Sequence, residues 1–144
     1  MDTRSTVQQA TERATAEPSA FVERSDYRVD ILARRNRVTV SIDGEPLAES
    51  QRCLLVDEQD HGLVFYFPPE DVRLDLFVPD EQTSRCPYKG TATYRRYERD
   101  GDDVLIWSYE DPYPEVARLA GYVGFFQDAV EVRIGQAHPA VSGR

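Results

Sequence analysis

A thiol and an amine lie three residues apart in the segment TSRCPYKG, residues 83–90. Cys86 is a possible nucleophile, and the ammonium group of Lys89 would favour its thiolate form. Pro87 biases the chain toward a bend and cannot donate into a sheet ladder. Gly90 permits a positive φ, which would let Lys89 project from the bend toward an anionic ligand. A buried, inert cysteine and a solvated lysine are the structural alternatives.

Aromatic side chains surround this segment on or beside predicted strand ends. Tyr and Trp combine an apolar body with a polar tip and commonly line ligand pockets, although they are also ordinary core residues. The rings that would wall a pocket are Tyr66, Tyr94, Trp107, Tyr109 and Tyr122, with Tyr88 beside them. Arg52 and Lys89 would be its polar anchors. Asp71 would lie at its rim, or would cap the turn after Pro68-Pro69.

The side chains that could bind a metal do not form a recognisable pattern. Structural zinc needs four Cys or His ligands at knuckle spacing. The candidates here are scattered at Cys53, His61, Cys86 and His138. The acidic segment RDGDD, residues 99–103, is typical of a hairpin tip, and no Walker-type glycine loop is present. We therefore expect no metal site and no cofactor.

The charge balance disfavours two classes of partner. Seventeen basic and 26 acidic side chains give a net charge of -9, which repels nucleic acid backbones and anionic lipid surfaces. The basic residues Arg34, Arg35 and Arg37 are read as a solvated turn. We expect neither nucleic acid nor membrane partners.

The N-terminal stretch favours a cytoplasmic location. It has no positively charged region followed by an apolar run, and the chain has no long hydrophobic segment. The two cysteines, Cys53 and Cys86, would remain thiols in a reducing compartment, although the sequence leaves a disulfide between them open.

Short alternating segments predict a mainly β domain. Val38, Val40 and Ile42 alternate with polar residues and precede Asp43-Gly44, the strongest hairpin signal in the chain. Further strands are predicted at 52–56, 63–67, around 74–78, on both sides of RDGDD, and at 130–134. Their close spacing favours antiparallel sheets over a βαβ arrangement.

One short helix near 114–121 interrupts the strands, with Pro114 in its first turn and Gly121 as its left-handed stop. Residues 1–22 and 136–144 lack apolar periodicity and are predicted to be flexible tails. Residues 23–135 then form a single domain.

Four segments, YFPPEDV, TSRCPYKGTATY, WSYEDPYPEVARLAGYVGFF and VEV, occur in the order seen in the bacterial family called domain of unknown function 427. The chain resembles this family from about residue 28 to 134. The resemblance implies a β-tent-like fold, two antiparallel sheets leaning together around a pocket. The family is also labelled nucleotidyltransferase family 9, which implies group transfer, and its pattern retains Lys-Gly at the position of Lys89 and Gly90.

Three functions follow as hypotheses. The first is binding of a small polar or anionic ligand in an aromatic-lined cleft. The second is nucleotidyl or other group transfer, in which Lys89 stabilises charge and Cys86 or Asp71 is the nucleophile or base. The third is pairing through an exposed strand edge, which leaves both monomer and homodimer open.

Overall fold

The computed structural model describes residues 18–100 and 103–137 of the 144-residue chain. This part contains ten strands, numbered in chain order. They are β1 Val29–Ala33, β2 Asn36–Ile42, β3 Glu45–Ser50, β4 Leu54–Glu58, β5 Leu63–Phe67, β6 Phe77–Cys86, β7 Gly90–Tyr97, β8 Val104–Ser108, β9 Val123–Phe125 and β10 Glu131–Ala137. Five 3-10 helices join them, at Ala20–Val22, Pro69–Asp71, Leu74–Leu76, Glu98–Asp100 and Pro114–Leu119.

The strands form two antiparallel sheets. The larger has seven strands in the order β1-β4-β5-β9-β8-β7-β6, and the smaller has three in the order β10-β2-β3. The predictions of a mainly β fold, of two antiparallel sheets and of a short helix after Pro114 are confirmed. The finer comparison with a β-tent stays a prediction.

The hairpin between β2 and β3 forms where Asp43-Gly44 predicts it. Both residues have positive φ, 49° and 82°, as a two-residue turn between twisted strands requires. The helix Pro114–Leu119 is followed by Gly121 at φ 76°, so the predicted left-handed stop is also confirmed.

The main core lies between the two sheets. Val38, Val40 and Leu47 of the small sheet pack with residues of the large sheet such as Phe65 and Phe125. Since strand side chains alternate between faces, the intervening residues of the large sheet point to its other face. That outer face has a second apolar cluster.

The second cluster joins the outer face of the sheet to the segment after β8. Leu54, Val56 and Tyr66 of the sheet pack with Tyr109 and with the helix Pro114–Leu119. The helix therefore covers only part of the outer face, and the remainder surrounds the cavity described below.

Some elements differ from the sequence expectation. Leu74 and Leu76 suggest a strand, but Leu74–Leu76 is a 3-10 turn closed by the hydrogen bond from the Leu76 amide to the Arg73 carbonyl, 3.0 Å long. Strands β1 and β9 were not predicted. Each is short and draws its hydrogen bonds from distant segments, which local alternation does not reveal.

Two contacts attach residues before 23 to the sheet domain. The Ala20 amide donates to the Pro87 carbonyl at 2.9 Å, and the Ser19 hydroxyl donates to Glu115 at 2.9 Å. At the other end, β10 continues to Ala137. The rest of the two predicted tails, residues 1–17 and 138–144, lies outside the described residues.

None of the helices in the described ranges has the length and apolar character needed to cross a membrane.

Candidate functional site

A row of side chains crosses the outer face of the large sheet. Tyr66 on β5 lies opposite Gly124 on β9, Gly124 lies opposite Trp107 on β8, and Trp107 lies opposite Tyr94 on β7. Directly opposed residues in a ladder point to the same face. The strand register therefore brings together three rings that are up to 41 residues apart in the sequence.

Gly124 makes room for the indole in this row. A Cβ at this position would lie 2.7 Å from Cζ2 of Trp107, so the missing side chain lets the indole lie across β9. Trp107 Nε1 donates a hydrogen bond to the Tyr66 hydroxyl at 3.1 Å, and the two rings meet edge to face.

These rings wall a cavity of about 470 Å³. Its volume is in the usual range for small-molecule sites, roughly 300–1,000 Å³. Six of the predicted site residues line it: Tyr66, Cys86, Lys89, Tyr94, Trp107 and Tyr109. Tyr27, Glu58, His61, Tyr88 and Phe126 are among the other residues of its wall.

A buried ion pair forms the polar end of the cavity. Lys89 Nζ donates to Glu58 Oε1, and each residue is only 7% exposed. The other carboxylate oxygen accepts a hydrogen bond from the Tyr27 hydroxyl at 2.5 Å, and His61 Nε2 lies 3.5 Å from it. Lys89 therefore does not project freely toward a ligand, because its charge is already compensated.

Opposing effects determine the pKa of Glu58. Burial raises it, but hydrogen bonds from Lys89 and Tyr27 and the positive charge of Lys89 outweigh burial, so the pKa of Glu58 lies below its ordinary value. Glu58 is thus ionised at neutral pH and forms a fixed salt bridge with Lys89.

The predicted bend brings Cys86 to the same place. Cys86 ends β6 and pairs with Gly90, which begins β7 and has φ 117°. The three intervening residues form the turn, and Lys89 Nζ lies 3.7 Å from Cys86 Sγ. The two cysteines are free thiols. Cys53 lies instead in the core between the sheets, where burial raises its pKa to about 12.

Two of the tyrosines that line the cavity have raised pKa values. Burial raises the pKa values of both Tyr66 and Tyr109 above the ordinary value for tyrosine. After burial, electrostatic repulsion from Tyr66 and Cys86, which also line the cavity, raises the pKa of Tyr109 further. Tyr109 is 7% exposed, and its hydroxyl has no hydrogen-bond partner among residues 18–100 and 103–137.

Three predicted site residues lie elsewhere. Arg52 forms an ion pair with Asp71 at 3.2 Å, and the Ser50 hydroxyl donates to Asp71 at 2.7 Å. Asp71 lines a different cavity, beside β2 and β3. Tyr122 packs against the second cluster without lining the ring-walled cavity. The charges of Arg52 and Asp71 thus satisfy each other.

The sequence reasoning missed Glu58, although the chain carries a signal for it. Leu54, Val56 and Glu58 alternate along β4, and all three are buried. A carboxylate that continues an apolar alternation must be buried and needs a cation. His61 lies outside such a pattern, in the loop three residues after Glu58, and Tyr27 and Phe126 reach the cavity only through the tertiary fold.

The described residues do not fit a metal-dependent transferase centre. Magnesium held against a phosphate needs clustered carboxylates. In residues 18–100 and 103–137, no group of three or more His, Cys, Asp or Glu side chains is placed to hold a metal ion. Part of the predicted RDGDD tip, residues 101 and 102, lies outside the described ranges.

A search among curated proteins found no match to the chain. A family model described as "Domain of unknown function (DUF427)" and labelled NTP_transf_9 matches residues 30–136. The matched region includes every strand, apart from Val29 at the start of β1 and Ala137 at the end of β10. Both residues of the ion pair and the cavity wall, apart from Tyr27, lie inside that region. Because the family model matches most of the chain, the chain belongs to the DUF427 family.

Proposed function

We propose that the ring-walled cavity binds a small polar molecule. The observation that carries this proposal is the pairing of a mostly aromatic wall with a fixed Lys89–Glu58 ion pair at one end. Rings provide contact area for a flat or apolar ligand body, and a few placed polar groups orient it.

The charges of the cavity favour a polar ligand over a strongly anionic one. Lys89 would be the anchor for an anion, but Glu58 already neutralises it. The hydroxyls of Tyr66 and Tyr109 are neutral donors at physiological pH. A ligand that accepts hydrogen bonds from these hydroxyls without carrying a full charge therefore suits the cavity best.

A ligand screen tests the proposal. Ring-containing fragments in neutral, anionic and cationic forms would be screened by thermal shift, and hits would be titrated by calorimetry. Trp107→Ala should weaken a true cavity ligand by about tenfold, because a lost aromatic contact costs on the order of 1 kcal/mol.

Arg52→Ala is the matched control for this screen. Arg52 is a predicted anchor, yet it pairs with Asp71 outside the cavity. The Arg52→Ala variant should therefore leave the affinity for cavity ligands unchanged. The proposal fails if no hit depends on Trp107, or if Arg52→Ala weakens binding as much as Trp107→Ala does.

We also propose that the protein acts in the cytoplasm. The two cysteines are free thiols on separate apolar clusters, an arrangement suited to a reducing compartment. Fractionation of cells that express the chain, with detection by antibody, tests this location.

A further inference from the structure

We propose that Cys86 is a nucleophile that accepts an acyl group from a small ester or thioester held in the ring-walled cavity. This inference rests on the proposed binding function and goes beyond it, because it assigns a covalent step to the polar end of the cavity. Four groups carry it: a thiol, an ammonium group, the carboxylate that holds the ammonium, and the hydroxyl of a largely buried tyrosine.

The nucleophile is placed where a ligand can reach it. Cys86 is half-buried, lines the cavity and lies at the end of β6, beside the turn to Lys89. Cys53 has neither property, since it is completely buried in the core between the sheets. Only the thiolate form attacks a carbonyl carbon, so the surroundings of the sulfur decide whether it reacts.

The ammonium group of Lys89 lies within hydrogen-bond distance of the sulfur. An ammonium has three N–H donors. One of them serves Glu58, and Cys86 Sγ lies 3.7 Å away as a second acceptor. The Tyr27 hydroxyl also donates to Glu58, and His61 Nε2 lies 3.5 Å from the carboxylate, so Lys89 is not the sole partner of Glu58.

The Tyr109 hydroxyl is a second, independent observation that indicates a ligand site. It lies in the cavity wall on a side chain that is 93% buried, and in the described part of the chain it has no hydrogen-bond partner. Since the described residues do not engage this hydroxyl, it can donate to a ligand in the cavity. A carbonyl oxygen beside it would satisfy the hydroxyl and would gain stabilisation as negative charge develops on that oxygen.

The reaction is a simple acyl transfer. The sulfur of Cys86 forms a bond to the acyl carbon, and the bond from that carbon to the oxygen or sulfur of the leaving group breaks. The thiol proton ends on the leaving group, which departs as an alcohol or thiol. The product is a thioester at Cys86, and no oxidant or reductant takes part.

The test uses the full chain and 4-nitrophenyl acetate, with the modified residue located by mass spectrometry. We expect acetylation of Cys86 at least about tenfold faster than of N-acetylcysteine under the same conditions. Cys53 is an internal control that should stay unmodified while the protein is folded. Cys86→Ala should abolish the fast acetylation.

A comparison of two reagents separates the role of Tyr109 from a structural one. Tyr109→Phe should slow acetylation about tenfold or more, because it removes a donor to the developing oxyanion. The same variant should change the rate of Cys86 alkylation by iodoacetamide less than about twofold, since no oxyanion develops in that reaction. Equal slowing of both reactions would exclude the assigned role.

To test the role of the Lys89 ammonium, a variant is needed that leaves no buried charge unpaired. The double variant Glu58→Gln with Lys89→Met removes both charges and should slow both reactions about tenfold. A Cys86 that reacts no faster than N-acetylcysteine, or acetyl groups found on lysines in its place, overturns the proposal. If cavity ligands still bind in that case, the binding function stands and only acyl transfer fails.

Discussion

At the scale of single residues, the site depends on a salt bridge that the sheet buries. Removing two charges from water is costly, and the cost is recovered only when each charge keeps good partners. Glu58 has Lys89, Tyr27 and His61 around its carboxylate. The pair is therefore more sensitive to loss of one member than an exposed ion pair such as Arg37–Glu49.

This pair gives a pH-dependent contribution to stability. The folded state holds the pKa of Glu58 below its ordinary value of 4.5. The unfolded state then binds more protons near that pH, so the contribution is fully present above about pH 4.5 and is lost as pH falls through the lower folded pKa. We expect Glu58→Gln to lose about 3–5 kcal/mol at neutral pH, because Lys89 is left buried without its carboxylate.

Urea unfolding of the wild type and Glu58→Gln between pH 7 and pH 3 measures this contribution. The difference in unfolding free energy should be largest above about pH 5 and should shrink toward pH 3. Glu49→Gln is the exposed control and should give a small difference at every pH. A constant difference for Glu58→Gln would contradict the assigned titration.

At the scale of elements, the turn between β6 and β7 sets the geometry of the thiol and the ammonium. Gly90 has φ 117°, a conformation that residues with a Cβ rarely adopt, and an added Cβ would contact the Asp111 carbonyl oxygen at 3.4 Å. The Tyr113 amide also donates to the Lys89 carbonyl at 3.1 Å. The segment after β8 therefore braces this turn from outside.

Gly90→Ala should destabilise the protein by about 1–2 kcal/mol through its backbone conformation and should also slow the acetylation of Cys86. Gly44→Ala is the matched control, because Gly44 has φ 82° with open space around it in the β2–β3 hairpin. It should cost a similar free energy of unfolding and leave the thiol unchanged. Urea unfolding and the acetylation rate together decide the outcome, and equal rates in the two variants would count against the role of the turn.

At the scale of the whole molecule, the segment before β1 packs against the polar end of the cavity. Phe21 meets the Tyr88 ring at 4.9 Å, and Tyr88 stacks on Tyr27 at 3.7 Å. Tyr27 in turn donates to Glu58. The ring cluster Phe21–Tyr88–Tyr27 thus links residues before the predicted boundary at 23 to the polar end of the cavity.

Phe21→Ala should lower the free energy of unfolding by about 1–2 kcal/mol, because it removes a half-buried ring and its edge-to-face contact. The adjacent Val22 is 69% exposed, so Val22→Ala should cost less than about 0.5 kcal/mol. Urea denaturation measures both. Equal, small effects would place the boundary of the folded domain after residue 22, as the sequence predicts.

Local pattern was sufficient for much of the fold. Alternation marked β2, Asp43-Gly44 marked the hairpin turn between β2 and β3, an apolar run marked β5, and Pro114 with Gly121 marked the short helix. These features depend on neighbours in the chain, so the sequence predicts them directly. The short strands β1 and β9 were missed because distant segments supply their hydrogen bonds. Leu74–Leu76 was misassigned because its apolar spacing also fits the locally closed 3-10 turn that forms there.

For the candidate site, the residue types and the bend at Cys86–Lys89 follow from the amino-acid order alone. Which of these residues meet depends on the folded arrangement of the strands and loops. Strand register placed Tyr66, Trp107 and Tyr94 in one row around Gly124. Arg52 and Asp71 lie outside the strands, and the packing of their loops pairs them away from the cavity. The partner of Lys89 also depends on the tertiary fold, since Glu58 lies 31 residues earlier and the energy of a buried charge depends on its neighbours in space.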